Sequence, residues 1–159
     1  MEQRQFRSTY IEVYNRLNTG VAVVVFFKAN GDLRVMLATR NMMFITMAGA
    51  TDALALLASR ERKCTIDNLS IAVVDVVLGE VRAFKVGRLI AFCGVTIRTQ
   101  EDLEAAVKSA VELKKRCDKL IERRRESNEI ELDTVEIGYS EIMAAVNELF
   151  PVASGGGEL

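Results

Sequence analysis

The strongest constraint in this sequence is a change of hydrophobic period. From Gln3 to Leu17 the apolar residues Phe6, Tyr10, Val13, Tyr14 and Leu17 recur at helical spacing, and Gly20 supplies a stop, which predicts a short amphipathic helix. From Val21 to Arg98 the period becomes that of strands. VAVVVFFK, LRVMLATR, LSIAVVDVV, VRAFKV and RLIAFCGVTI are each rich in β-branched or aromatic residues. Five short strands after one helix predict a small β-barrel. The first strand is apolar on both faces, so it must be covered outside by the terminal helices as well as inside by the barrel core.

The turns support this count. In ANGD, Ala29 to Asp32, the Asn-Gly pair tolerates positive φ at both central positions and predicts a type I′ hairpin turn. VLGEV, with Gly79, reads as a second tight connection. Thr46 to Asn68 is too long for a hairpin loop; TDALALLASRERK within it, with a cap at Thr51 or Asp52, predicts a helical insertion.

After the strands, Thr99 and Asp102 form a Ser/Thr-x-x-acid helix start. Leu103, Ala106, Ala110, Leu113, Cys117 and Leu120 then step by three and four, with Val107, Val111 and Ile121 widening the stripe. The stripe packs against the barrel or against a second copy of the chain, which makes a homo-oligomer one expectation. Ile130 to Ile137 alternates well enough for a strand, and Ser140 opens a last short helix with Ile142, Met143, Val146, Leu149 and Phe150 on its apolar side. The tail from Pro151 is expected to be disordered. The predicted fold class is thus α+β, with an N-terminal helix over residues 1–20, a barrel over 21–98 with a helical insertion at 46–68, a C-terminal helical extension over 99–150 and a tail at 151–159.

Several functional classes are disfavoured. There is no histidine, the commonest general base and transition-metal ligand, so any catalysis would rest on carboxylates, lysines or thiols. No Gly-x-Ser-x-Gly, Walker or Gly-x-Gly-x-x-Gly motif occurs, and Gly155 to Gly157 follow no strand. The expectation is a non-enzymatic protein with no catalytic residues, cofactor or metal site. Cys64, Cys93 and Cys117 are odd in number and far apart, which suggests neither a disulfide framework nor zinc and points to a reducing cytoplasm. No secretory signal pattern opens the chain. Met42 to Ala58 is apolar but is interrupted by Asp52 and falls short of a membrane span, so no membrane partner is expected.

Charge is distributed unevenly. Residues 21–100 carry +4, whereas residues 127–159 hold seven acids and no base. A basic barrel joined to an acidic segment either binds a polyanion or has its charge compensated within the fold or across an oligomer. Lys28, Arg34, Arg40, Arg82, Lys85 and Arg88 are the candidate nucleic-acid-binding residues, converging on one barrel face with Phe27 or Phe84 stacking on bases. The alternatives are a solvated basic face and two core phenylalanines. Asp75, inside an apolar strand, needs a partner such as Arg82, Arg34 or backbone amides, and a structural role is favoured over a catalytic one. The run KKRCDKLIERRRE interleaves with Glu112, Asp118, Glu122 and Glu126 as a salt-bridged helix face. Cys117 reads as a small hydrophobe.

Two blocks, VVFFKANGDLRVMLATRN and IAVVDVVLGEVRAFKVGRLIAF, resemble the two halves of a small SH3-like or Sm-like β-barrel family common in bacteriophages and related by name to the WYL domain. The matching positions are Phe26, Lys28, Gly31, Arg34, Met36, Thr39 and Asn41, then Asp75, Arg82, Phe84 and Lys85; Val81 departs from the family's aromatic, and the insertion and terminal helices lie outside the match. The resemblance covers residues 21–92. It implies an SH3-like barrel in a phage protein acting in the host cytoplasm, binding nucleic acid or a nucleotide-like anion by analogy with other small barrels. A protein-interaction module that inhibits or recruits a host protein, or serves in phage assembly, is the alternative.

Overall fold

The computed structural model describes the backbone of residues 3–126 and 130–151, and side chains over 7–123 and 139–151. Helix α1 (Gln3–Thr19) leads through Gly20 into β1 (Val21–Phe27) and β2 (Leu33–Thr39). Two short helices, α2 (Met42–Met47) and α3 (Ala53–Glu61), precede β3 (Ser70–Asp75) and β4 (Glu80–Lys85). A 3-10 turn at Val86–Arg88 passes into β5 (Leu89–Val95), followed by α4 (Gln100–Glu126) and α5 (Ile130–Leu149). All five expected strands form, in one antiparallel sheet of order β4-β3-β2-β1-β5.

The expected barrel does not close. β5 directs its ladder to β1, from Val21↔Val95 to Phe26↔Leu89, so β4 and β5 are the two ends of the strand order and do not pair with each other. The sheet nevertheless curls steeply. The rings of Phe26 in β1 and Phe84 in β4 have centroids 5.5 Å apart, although two intervening strands would hold β1 and β4 about 14 Å apart in a flat sheet. The tightest irregularity is the β2–β3 junction, where only Ala38↔Asp75 and Thr39↔Val74 pair, extended by Val76 N donating to Leu37 O at 2.9 Å.

Alternating residues of β1 serve two cores, as its doubly apolar pattern predicts. Val21, Val23 and Val25 join Leu37 and Val74 in a cluster with α2, α3, α4 and α5. Ala22, Val24 and Phe26 join Met36, Val73 and Phe84 under Tyr10, Val13 and Leu17 of α1. Val23, Val24 and Val25 are wholly inaccessible, and full burial of such a side chain contributes about 1.5–3 kcal/mol. The apolar stripe of α4, Leu103, Ala106, Ala110, Leu113, Cys117 and Leu120, is consumed within the first cluster of the same chain.

Four local expectations are corrected. The β1–β2 turn is not type I′: Asn30 keeps a negative φ, Gly31 alone has φ +91°, and Gly31 N donates to Lys28 O at 2.9 Å. This is the pattern of a turn followed by a left-handed glycine bulge, with Asn30 Oδ1 accepting from Asp32 N at 2.9 Å. The insertion begins earlier than residue 46, because Asn41 Oδ1 accepts from Met43 N and Phe44 N and starts α2 directly after the strand. Asp52 precedes α3 without a side-chain cap bond. Ile130 to Ile137 is helix rather than strand; its Glu and Leu residues favour helix, and the run continues without interruption into the helix expected from Ser140. The start of α4 follows the sequence: Asp102 N donates to Thr99 Oγ1 at 3.1 Å, and Asp102 Oδ2 accepts from Arg98 N and Thr99 N at 2.8 and 3.1 Å. The side chains of Phe6 and Glu126 and the tail 152–159 lie outside the described residues.

Candidate functional site

The β1–β2 hairpin and the end of β4 bring four of the six expected cations together. Lys28 follows β1, Arg34 sits opposite Phe26 in the β1–β2 register, and Lys85 and Arg88 flank the turn into β5. Together with Phe27 and Phe84 they line one groove of about 380 Å³. None of these four cations forms an ion pair among the described residues. Among the described residues Lys85 Nζ donates only to Asn68 O, at 3.3 Å. Phe84 is core, as the alternative reading held, whereas Phe27 is half-buried and keeps accessible surface at the groove.

The other two cations are engaged elsewhere. Arg40 shares strand parity with Arg34 in the sequence, but β2 ends at Thr39, so parity does not govern its direction. Its guanidinium is 6% exposed and pairs with Glu61 at 2.5 Å. It also donates to Ala72 O at 2.5 Å, to Asn18 Oδ1 at 2.8 Å and to Tyr14 Oη at 3.2 Å. The Tyr14 ring lies 4.6 Å from its Cζ. Arg40 therefore ties α1, α3 and β3 together. Arg82 pairs with its strand neighbour Glu80 and donates to its neighbour Val81 O, while its Nε is buried without a partner among the described residues.

On the other side of Lys28 and Arg34 lies a larger cavity of about 530 Å³. It fills the gap beside the unpaired half of β2. Leu33 and Val35 form one wall, Val77 of the β3–β4 turn another, and Val111 and Ile121 of α4 close it. Asp75 is among its lining residues and is 3% exposed. Of the alternatives for its partner, backbone amides hold it: Oδ1 accepts from Val77 N at 3.0 Å and from Leu78 N at 3.3 Å. Burial pushes its carboxyl above the ordinary value, against the opposing pull of those amides and the more distant Arg82 and Arg34. The sequence contained one signal for this cavity, the widening of the α4 stripe by Val111 and Ile121. Its other half depends on β2 and β3 parting after two residue pairs, which no local pattern records.

Outside these two concavities part of the charge on α4 is paired. Lys114 pairs with Asp118 at 2.9 Å, and Arg116 with Glu112 at 3.3 Å and Glu148 at 2.9 Å, the salt-bridged α4 face that the spacing predicts. Cys117 is buried, and burial pushes its thiol up to about 11. Among the described residues no helix is long and apolar enough to cross a membrane. No family model, curated protein or solved structure matches this chain.

Proposed function

We propose that this protein binds single-stranded nucleic acid along the groove lined by Lys28, Arg34, Lys85 and Arg88, with Phe27 offering a stacking edge. The observation that carries this reading is the convergence of four cations, from two separate segments and without ion-pair partners, around one concave surface. Of the cations outside the groove, Arg7, Arg40, Arg82, Lys114 and Arg116 pair with acids, and the groove is where four cations from separate segments share one concave surface. Backbone phosphates suit such a cluster, and base stacking on an aromatic suits the absence of a base-pairing template. In this reading the curled sheet is an incompletely closed SH3-like barrel, and the setting in a phage-infected host cell rests on the resemblance of residues 21–92.

The test is a salt titration by fluorescence anisotropy with a labelled oligonucleotide. For single strands the logarithmic salt slope is about −0.7 per phosphate contacted, so four contacts give a slope of about −3, and Lys85→Gln with Arg88→Gln lowers it to about −1.4. No complex at low salt removes the proposal. A protein-interaction role has one observation in its favour, the exposure of Met42, Met43 and Leu56 at 65, 60 and 54% on the helical insertion. A host-protein complex that survives nuclease treatment and is lost in Met43→Lys would support that second reading.

A further inference from the structure

We propose that the cavity beside the groove receives one unstacked base of the bound strand, and that Asp75 selects cytosine over uracil there. This rests on strand binding by the groove. Lys28 and Arg34 line both concavities, so a phosphate held by them stands at the junction and its attached base is directed into the cavity. The volume, about 530 Å³, falls in the range that encloses small ligands. Leu33, Val35, Val77 and Val111 supply apolar walls for the faces of a planar ring.

Asp75 carries the selectivity. Both hydrogen bonds that Asp75 accepts go to Oδ1, and Oδ2 accepts none among the described residues. A carboxylate oxygen accepts from the N4 amino group of cytosine. Uracil presents O4 at the same position, an acceptor facing an acceptor. A buried carboxylate that has lost solvent gains more from such a donor than an exposed one does. Asp32, Glu122 and Asp118, the last paired with Lys114 at 2.9 Å, also line the cavity; these acids disfavour a second phosphate inside it and leave the interior to the uncharged base.

The experiment compares oligo(dC) with oligo(dU) of about 12 nucleotides by fluorescence anisotropy at neutral pH and constant salt, using the full chain. The wild type is expected to bind oligo(dC) about tenfold more tightly. Asp75→Asn keeps an oxygen for the Val77 and Leu78 amides and places an NH₂ group where Oδ2 stood, so the preference should vanish or reverse toward oligo(dU). Equal wild-type binding of the two overturns base selection while leaving the groove proposal standing; binding of neither overturns strand binding itself. If Asp75→Asn does not fold, Val111→Trp fills the cavity from a position 39% exposed on α4. Loss of the oligo(dC) preference with oligo(dU) affinity kept supports the inference, and a preference that persists in the filled cavity overturns it.

Discussion

Replacing Arg40 with methionine separates the architecture from the groove. Methionine retains the apolar stem but removes a guanidinium that is 6% exposed and bonded to four other residues. Ala72 O loses its side-chain donor in a residue 1% exposed, and a buried group left without its partner costs about 1–3 kcal/mol. The contact with the Tyr14 ring, 4.6 Å away, contributes about 1 kcal/mol in a largely desolvated setting. Glu61 is 41% exposed, so its carboxylate rehydrates and adds less than about 1 kcal/mol. The total is about 3 kcal/mol, which for a chain of this size lowers the melting temperature by about 6–12 °C. Thermal and urea unfolding followed by circular dichroism measures it, with Glu61→Gln alone expected to cost under about 1 kcal/mol. If Arg40→Met melts within about 2 °C of the wild type, the assignment of Arg40 as a structural tie is wrong. Loss of oligonucleotide binding at an undiminished melting temperature would equally refute it, because it would return Arg40 to the binding surface.

Asp75 should leave a signature in the pH dependence of stability. Its folded-state carboxyl is raised above the ordinary value by burial, so its contribution is present below that ordinary value and is lost as pH rises through the raised one. Urea titrations of wild type and Asp75→Asn between about pH 3 and about pH 7 should show the variant gaining relative stability as pH rises; a constant difference contradicts the burial argument. Cys117, buried and with its thiol pushed up to about 11, should react with an aromatic disulfide reagent only on unfolding, and labelling of Cys117 in the native protein would show that the α4 seam opens. Thr99→Ala removes the hydroxyl that accepts from Asp102 N at 3.1 Å and should cost about 1 kcal/mol in urea unfolding; no measurable cost would mean that the end of α4 is frayed.

Much of the secondary structure follows from local pattern, and the misreadings have identifiable physical causes. The shift at Val21 from helical to strand period marks β1 because seven consecutive apolar or aromatic residues, alternately assigned to two cores, can hardly serve any other element. Asn30-Gly31 announces a hairpin, but one left-handed glycine suffices to reverse the chain, so the pair does not determine the turn type. The alternation at Ile130 to Ile137 spans only eight residues, a length over which both periods fit. Closure is a non-local property. Whether five strands form a cylinder depends on which edges meet, and here β5 meets β1 while β4 remains at the opposite end. Arg40 misled for a related reason: side-chain alternation holds only while the strand lasts, and Asn41 ends it by capping α2. The grouping of Lys28 and Arg34 with Lys85 and Arg88 was legible as composition, whereas the curl that brings β4 across to β1 was not.

The location of the two concavities has one structural origin. Helices α2 and α3 leave the sheet immediately after Thr39, and the β3–β4 turn begins at Val76, so β2 and β3 share only two paired positions and Leu33 to Met36 pair with β1 alone. A fully zipped β2–β3 ladder would fill that space with backbone and leave no wall for the cavity. The interruption instead exposes one side of β2 to the β3–β4 turn and to α4, where Asp75 is held by two turn amides rather than by a salt bridge. Met36 enters the core under α1, while Arg34, two residues earlier on the same face, lines both the groove and the cavity. A cation that borders two concave surfaces links whatever occupies one to whatever occupies the other. Arg34→Gln should therefore weaken overall oligonucleotide affinity and reduce the difference between oligo(dC) and oligo(dU) together, whereas Lys85→Gln, which lines the groove alone, should weaken both oligonucleotides by the same factor.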